Sequence, residues 1–119
     1  QRYYGHARQV LHVAAQTAPG AYAGRWVVVV DDDIDPANID EVLWAIGTRC
    51  QPAMDIEFIN RSRSTPLDPL CFDKEKNYYT SLALVDACIP FEEKENFPRA
   101  TGATPEYIQD VYKKWRALF

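Results

Sequence analysis

The run WVVVVDDDID from Trp26 to Asp35 restricts the folds open to this chain more than any other segment. Four consecutive valines are β-branched and show no polar alternation, which suits a strand covered on both faces, as in an α/β sheet. Four carboxylates follow at once, Asp31, Asp32, Asp33 and Asp35. Acidic residues where a strand leaves a sheet line a crevice in many α/β folds, but the position alone assigns no chemistry.

Helical periodicity flanks this strand. Ala7, Val10, Leu11, Ala14, Ala15 and Ala18 recur at spacings of three and four, predicting a helix that Pro19-Gly20 ends. Asp35-Pro36 offers an N-cap followed by a first-turn proline, and Asn38 with Glu41 repeats the start signal at capping-box spacing. Ile39, Val42, Leu43 and Ile46 then form an apolar stripe that ends near Gly47. After Pro52, Ile56, Phe58 and Ile59 fit either a short strand or a helical turn, because periodicity does not separate the two over so few residues. Leu82 to Ile89 is a second apolar run of strand length, interrupted only by Asp86, and is expected to pair beside the valine strand. The expected architecture is α/β: one domain over residues 1–119, with a small mixed or parallel sheet and flanking helices.

Ser62 to Lys76 carries Pro66, Pro69 and alternating charge, and reads as an exposed loop long enough to serve a function. Pro90 to Gly102 reads as a surface connection. Thr104-Pro105-Glu106 starts a last, amphipathic helix whose stripe is Ile108, Val111, Tyr112, Trp115 and Phe119. Such stripes more often pack on the chain's own core than across an interface, and packing here is the expectation.

Composition narrows the function classes. At 119 residues and 47% apolar, with three Trp, seven Tyr and five Phe, the chain supports one small core. Its net charge is −4 and its basic residues are scattered, so it lacks the basic stripe that nucleic acid requires. No apolar run approaches the roughly 20 residues of a membrane span, and QRYYGHARQ lacks the apolar region of a signal peptide. Cys50, Cys71 and Cys88 contain no CxxC pair and read as free thiols, with a single disulfide as the alternative, which points to a soluble protein of the reducing cytoplasm. The only methionine is Met54, so the chain reads as a piece of a longer polypeptide.

The acidic cluster invites two metal readings, and both fit poorly. An EF-hand loop begun at Asp31 would need glycine and glutamate where Pro36 and Val42 stand. Asp31, Asp32 and Asp35 spell DDxxD, but that magnesium motif belongs on a helix of an all-α fold, not between a strand and a proline. The structural reading has Asp31 to Asp33 solvate the strand end while Asp35 caps the next helix. The alternative is a hard-cation site at Asp31, Asp33 and Asp35. Neighbouring carboxylates repel, raising at least one pKa unless a cation or an arginine compensates; Arg49 and Arg25 are the nearest candidates. His6 and His12 are six apart, on different helix faces, and read as surface residues rather than a metal pair. Gly-rich phosphate loops, GxSxG, HExxH and a Cys-His nucleophile pair are all missing. A self-contained active site is not legible.

Taken together, Gly5-His6-Ala7-Arg8-Gln9-Val10, WVVVVDDDIDPANIDEVLWA, Thr48-Arg49-Cys50, Asp55 and Ser64-Thr65-Pro66-Leu67-Asp68 resemble the C-terminal region of the UbiD family of decarboxylases. The resemblance spans roughly Gly5 to Pro90, with Leu84-Val85-Asp86-Ala87 fitting the family's last strand and Phe97-Pro98 its tail. It implies reversible, non-oxidative decarboxylation of aromatic or α,β-unsaturated carboxylic acids, with prenylated FMN, a divalent metal (Mn or Mg) and potassium. In that family the flavin, the metal ligands and a Glu-Arg-Glu acid-base set belong to an upstream flavin-binding domain of the same polypeptide. The C-terminal domain contributes to assembly of a homo-oligomer and lends a loop to the wall of the substrate pocket. Thr65, Pro66 and Leu67 match that loop, and a small polar group, a rigid proline and an apolar side chain shape a pocket without moving protons. The implied chain is therefore inactive alone: no catalytic, cofactor-binding or metal residue is assigned to it. The competing readings are a stand-alone oligomerisation module that buries Tyr112, Trp115 and Phe119 against another subunit, and a ligand- or metal-binding α/β module centred on the Asp31 to Asp35 edge.

Overall fold

The computed structural model describes residues 1–71, 78–100 and 102–116. The elements run α1 (His6–Gln16), α2 (Ala18–Ala23), β1 (Trp26–Val30), α3 (Ile39–Arg49), α4 (Pro52–Asp55), β2 (Ile56–Arg63), β3 (Tyr79–Ala87), a 3-10 turn (Phe91–Glu93) and α5 (Pro105–Trp115). The three strands form one mixed sheet in the order β1-β3-β2. β1 runs parallel to β3, pairing Val28 with Val85, and β2 runs antiparallel to β3, pairing Phe58 with Ala83. Leu82 to Ala87 does lie beside the valines, as its composition predicts.

Alternation along the strands builds two cores. Val27 and Val29 face the cluster of Leu11, Ala15, Leu82 and Leu84, whereas Val28 and Val30 face Ile34, Ala45 and Ala87 together with Val42 and Ile46. Unbroken valine is therefore required, because α1 covers one face and α3 the other. Cover on both faces does not make the valine strand the central one. β1 is an edge strand and its valines are only half-buried, while β3 occupies the centre and holds the fully buried Leu82, Leu84 and Val85.

The helix boundaries differ from the sequence signals for local reasons. Thr17, in extended conformation, ends α1, and its side chain accepts the Gly20 N–H to cap α2. Pro19 sits in the first turn of α2, where a missing N–H costs nothing, so Pro19-Gly20 starts a helix rather than ending one. A Cβ on Gly20 would meet the Ala14 carbonyl oxygen at 2.2 Å, so this corner requires glycine. Asn38, not Asp35, caps α3 by accepting from Asp40 N. Glu41 reaches back to accept from Asp35 N at 2.8 Å and from Asn38 Nδ2 at 3.0 Å. Asp35 instead closes a turn by accepting from Ala37 N at 2.9 Å. α3 passes Gly47 and ends at Arg49, a cation at the favourable end of the helix dipole. Ile56, Phe58 and Ile59, which fit either a strand or a helical turn, all lie in strand β2, directly after the one-turn helix α4.

The terminal helix departs furthest from expectation. Thr104 caps α5 by accepting from Tyr107 N, yet none of its residues is buried, and Tyr107, Ile108, Tyr112 and Trp115 are exposed. Phe119 lies outside the described residues, as does the 72–76 part of the Ser62 to Lys76 loop. The radius of gyration is 19.2 Å, against about 13–14 Å for a compact chain of this length. The stripe on α5 is real, but α1 and α3 already occupy the two faces of the sheet. Among the described residues no helix is long and apolar enough to cross a membrane.

Candidate functional site

At the exit of β1 the acidic cluster meets Arg49. Its side chain, 4% exposed, donates Nη1 to Asp33 Oδ1 at 2.9 Å and Nη2 to Asp33 Oδ2 at 2.6 Å, and lies 3.8 Å from Asp31. The Trp44 ring packs on the same guanidinium, its centroid 5.2 Å from the central carbon. Asp31 Oδ2 accepts the Ile89 N–H at 2.7 Å, tying the end of β1 to the chain beyond β3. The hydrogen bonds from Arg49 hold the Asp33 carboxyl below the usual range, against a smaller opposing effect of burial. Of the two nearest arginines Arg49 compensates the cluster, while Arg25 pairs elsewhere.

This donor set does not fit a hard cation. Arg49 stands against Asp31 and Asp33, Asp35 is turned to its own backbone, and no three His, Cys, Asp or Glu among the described residues converge on a metal-sized site. Nor do the histidines converge: His12 contacts Glu57 at 2.9 Å, and His6 accepts from Arg2 N at 3.3 Å. The carboxyl driven upward is Asp86 on β3, where burial outweighs its hydrogen bonds from Cys88. Burial likewise pushes the Cys88 thiol up, and Cys50, Cys71 and Cys88 are all free.

The second site is the loop after β2. Asp68 organises it: Oδ1 accepts from Arg25 Nη2 at 2.5 Å and from Leu70 N at 2.9 Å, and Oδ2 accepts from Ser64 Oγ at 2.9 Å. Asp68 N–H in turn donates to the Thr65 carbonyl at 3.0 Å, and Leu67 N–H to Thr65 Oγ1 at 3.3 Å. Backbone donation from Leu70, with Ser64 and Arg25, lowers the Asp68 pKa. Thr65 is half-buried, Pro66 is exposed, and Leu67 projects with 88% exposure. Tight hydrogen bonding thus fixes an apolar side chain in the open.

Pro66 and Ser64 also line a groove of about 810 Å³, shared with Tyr22, Arg61, Arg63, Tyr78 and Tyr79. Sequence reading missed Asp68 as the organiser, together with Arg25, Tyr22 and the two strand arginines. The available signal was an Asp directly before Pro69, the composition of a side-chain-closed turn.

Residues 1–87 match the family described as 3-octaprenyl-4-hydroxybenzoate carboxy-lyase C-terminal domain. A phenolic acid decarboxylase of Bacillus subtilis is 40% identical over 121 residues, covering 95% of this chain and 25% of that protein. Vanillic acid decarboxylase of Sedimentibacter hydroxybenzoicus, in its closed form, superposes with a TM-score of 0.70 at 30% identity, over 98% of this chain and 24% of that one. A UbiD-class enzyme of Pelotomaculum thermopropionicum, solved with FMN, superposes with a TM-score of 0.72 at 26% identity, over 89% of this chain and 22% of that one. The chain thus spans a quarter or less of these relatives. With the family match running unbroken from Gln1 through the end of β3, this chain belongs to the C-terminal domain family of the UbiD-class carboxy-lyases.

Proposed function

We propose that this chain serves a UbiD-class decarboxylase of aromatic or α,β-unsaturated carboxylic acids as its assembly and pocket-wall domain. The carrying observation is Leu67, an apolar side chain 88% exposed on a loop that Asp68 fastens from four directions. A free surface loop has no need of such rigidity, whereas a pocket wall must hold its shape against a ligand. Thr65, Pro66 and Leu67 form that wall. Prenylated FMN, which supplies the electron sink for carbon–carbon cleavage, belongs with the divalent metal, potassium and the acid-base residues in a flavin-binding region upstream. No step of the chemistry is assigned to this chain. Its free cysteines suit a cytoplasmic enzyme.

Carbon dioxide release is the test. A polypeptide joining this domain to a flavin-binding region, loaded with cofactor, should decarboxylate a phenolic acid, and the 119-residue chain with the same cofactor should not. Turnover by the chain alone would overturn the assignment.

The exposed stripe of α5 supports a second contribution, contact with another subunit of a homo-oligomer, since Ile108 and Trp115 lie open on a helix that projects from the sheet.

A further inference from the structure

The groove beside the loop is chemically unlike the rest of the molecule. The chain carries 17 acidic against 13 basic residues, yet among the described residues the groove's lining contains two arginines and no carboxylate. Arg61 interrupts the β2–β3 pairing, where the register shifts between Ile59 and Ser62, and it takes a φ of 57°. Left-handed backbone is uncommon for a side chain of this size, and a bulge of this kind re-aims what it carries. Two positions on, Arg63 lines the same groove with its guanidinium 5.5 Å over the Tyr22 ring. Among the described residues neither guanidinium has a carboxylate partner, whereas Arg25 and Arg49 are both paired. Tyr78, 42% exposed, adds a second aromatic surface, and Pro66 joins the groove to the proposed pocket wall.

Two guanidinium groups without a carboxylate among the described residues, set among phenol rings, are complementary to a planar anion: the forked N–H groups match a carboxylate, and the rings match an aryl face. We propose that Arg61 and Arg63 form a docking site for the carboxylate of the aromatic acid substrate at the approach to the pocket. This inference rests on the decarboxylase reading and adds to it a discrimination. The site holds the acid and lets go of the decarboxylated phenol, which has lost the group the arginines grip. An acidic protein would otherwise repel its anionic substrate, and a local cationic groove offsets that field.

The test uses the polypeptide in which this domain is joined to a flavin-binding region, with 4-hydroxybenzoate as substrate and phenol as product probe. Replacing both residues (Arg61→Gln with Arg63→Gln) should raise KM about tenfold, the scale of a lost charge-assisted hydrogen bond. The effect should fall on KM rather than kcat, because a site at the approach acts on capture of the acid, before the chemical step. Raising the salt concentration should shrink the difference between the two proteins, and an unchanged melting temperature should show that the fold persists. Arginine Nε–H resonances of the unsubstituted protein should shift with 4-hydroxybenzoate and not with phenol. Turnover with an unaltered KM in the double variant, or equal shifts with acid and phenol, would overturn the docking site. Absence of turnover in the unsubstituted protein would overturn the decarboxylase reading instead. The resonance titration would then still decide the groove: acid-specific shifts support it, and no shift refutes it.

Discussion

Arg49 grips both oxygens of Asp33, at 2.9 and 2.6 Å, from the last turn of α3, so the end of a helix is bolted to the acidic exit of β1. Arg49→Met would strip Asp33 of both hydrogen bonds and leave Asp31, itself 8% exposed, with the Gln1 ammonium alone at 3.0 Å among the described residues. We expect a loss of about 2–4 kcal/mol in urea unfolding, the scale for breaking a partly buried pair from one side. Arg49→Lys should recover little of it, since an ammonium lacks the planar fork. Stability within 0.5 kcal/mol of the parent, roughly the noise of surface substitutions, would show that the pair is ornamental.

Asp86 gives a pH signature. Burial raises its pKa in the folded state above the unfolded value, so between the two values the folded protein binds more protons. Its contribution to stability is therefore full below the unfolded carboxylate pKa and declines as pH rises through the folded one. Asp86→Asn keeps an acceptor for Cys88 N–H, now made at 3.0 Å, and should flatten this decline. Melting temperatures measured upward from about pH 4, the ordinary carboxylate range, provide the measurement; parallel curves for parent and variant would remove Asp86 as the source.

Val28 lies against Ile34, Ala45 and Ala87, so Val28→Asp should unfold the domain: an unpaired charge there costs several kcal/mol, on the order of the whole margin of stability. Val13→Asp, at a valine 63% exposed on α1, should melt near the parent. A cooperatively melting Val28→Asp protein would mean that the α3 face of β1 is wet.

At Leu67, substitution by Trp should leave the melting temperature within a degree or two, roughly the effect of an exposed site, because 88% of the side chain meets solvent. In the polypeptide carrying the flavin-binding region, the same change should alter relative kcat/KM among aromatic acids of different size. Equal loss for all acids with a lowered melting temperature would make Leu67 a packing residue.

On α5, Ile108→Lys with Trp115→Lys should not lower the melting temperature of the 119-residue chain, since neither residue is buried. Sedimentation of the flavin-bearing polypeptide should show a shift toward smaller species. An unchanged assembly would assign the stripe to another role.

Sequence alone determined the strand, the two faces it needs and the family, because β-branched runs and capping residues act over neighbouring positions and are written locally. Asn38 with Glu41 and Thr104 with Pro105 were legible for the same reason. Tertiary structure decided what depends on distant partners. It put β3 rather than β1 at the sheet's centre, joined Arg49 to Asp33, and gave Arg25 to Asp68 across 43 positions of chain. It also left the α5 stripe uncovered, since periodicity records that a helix has an apolar face but not what lies against it.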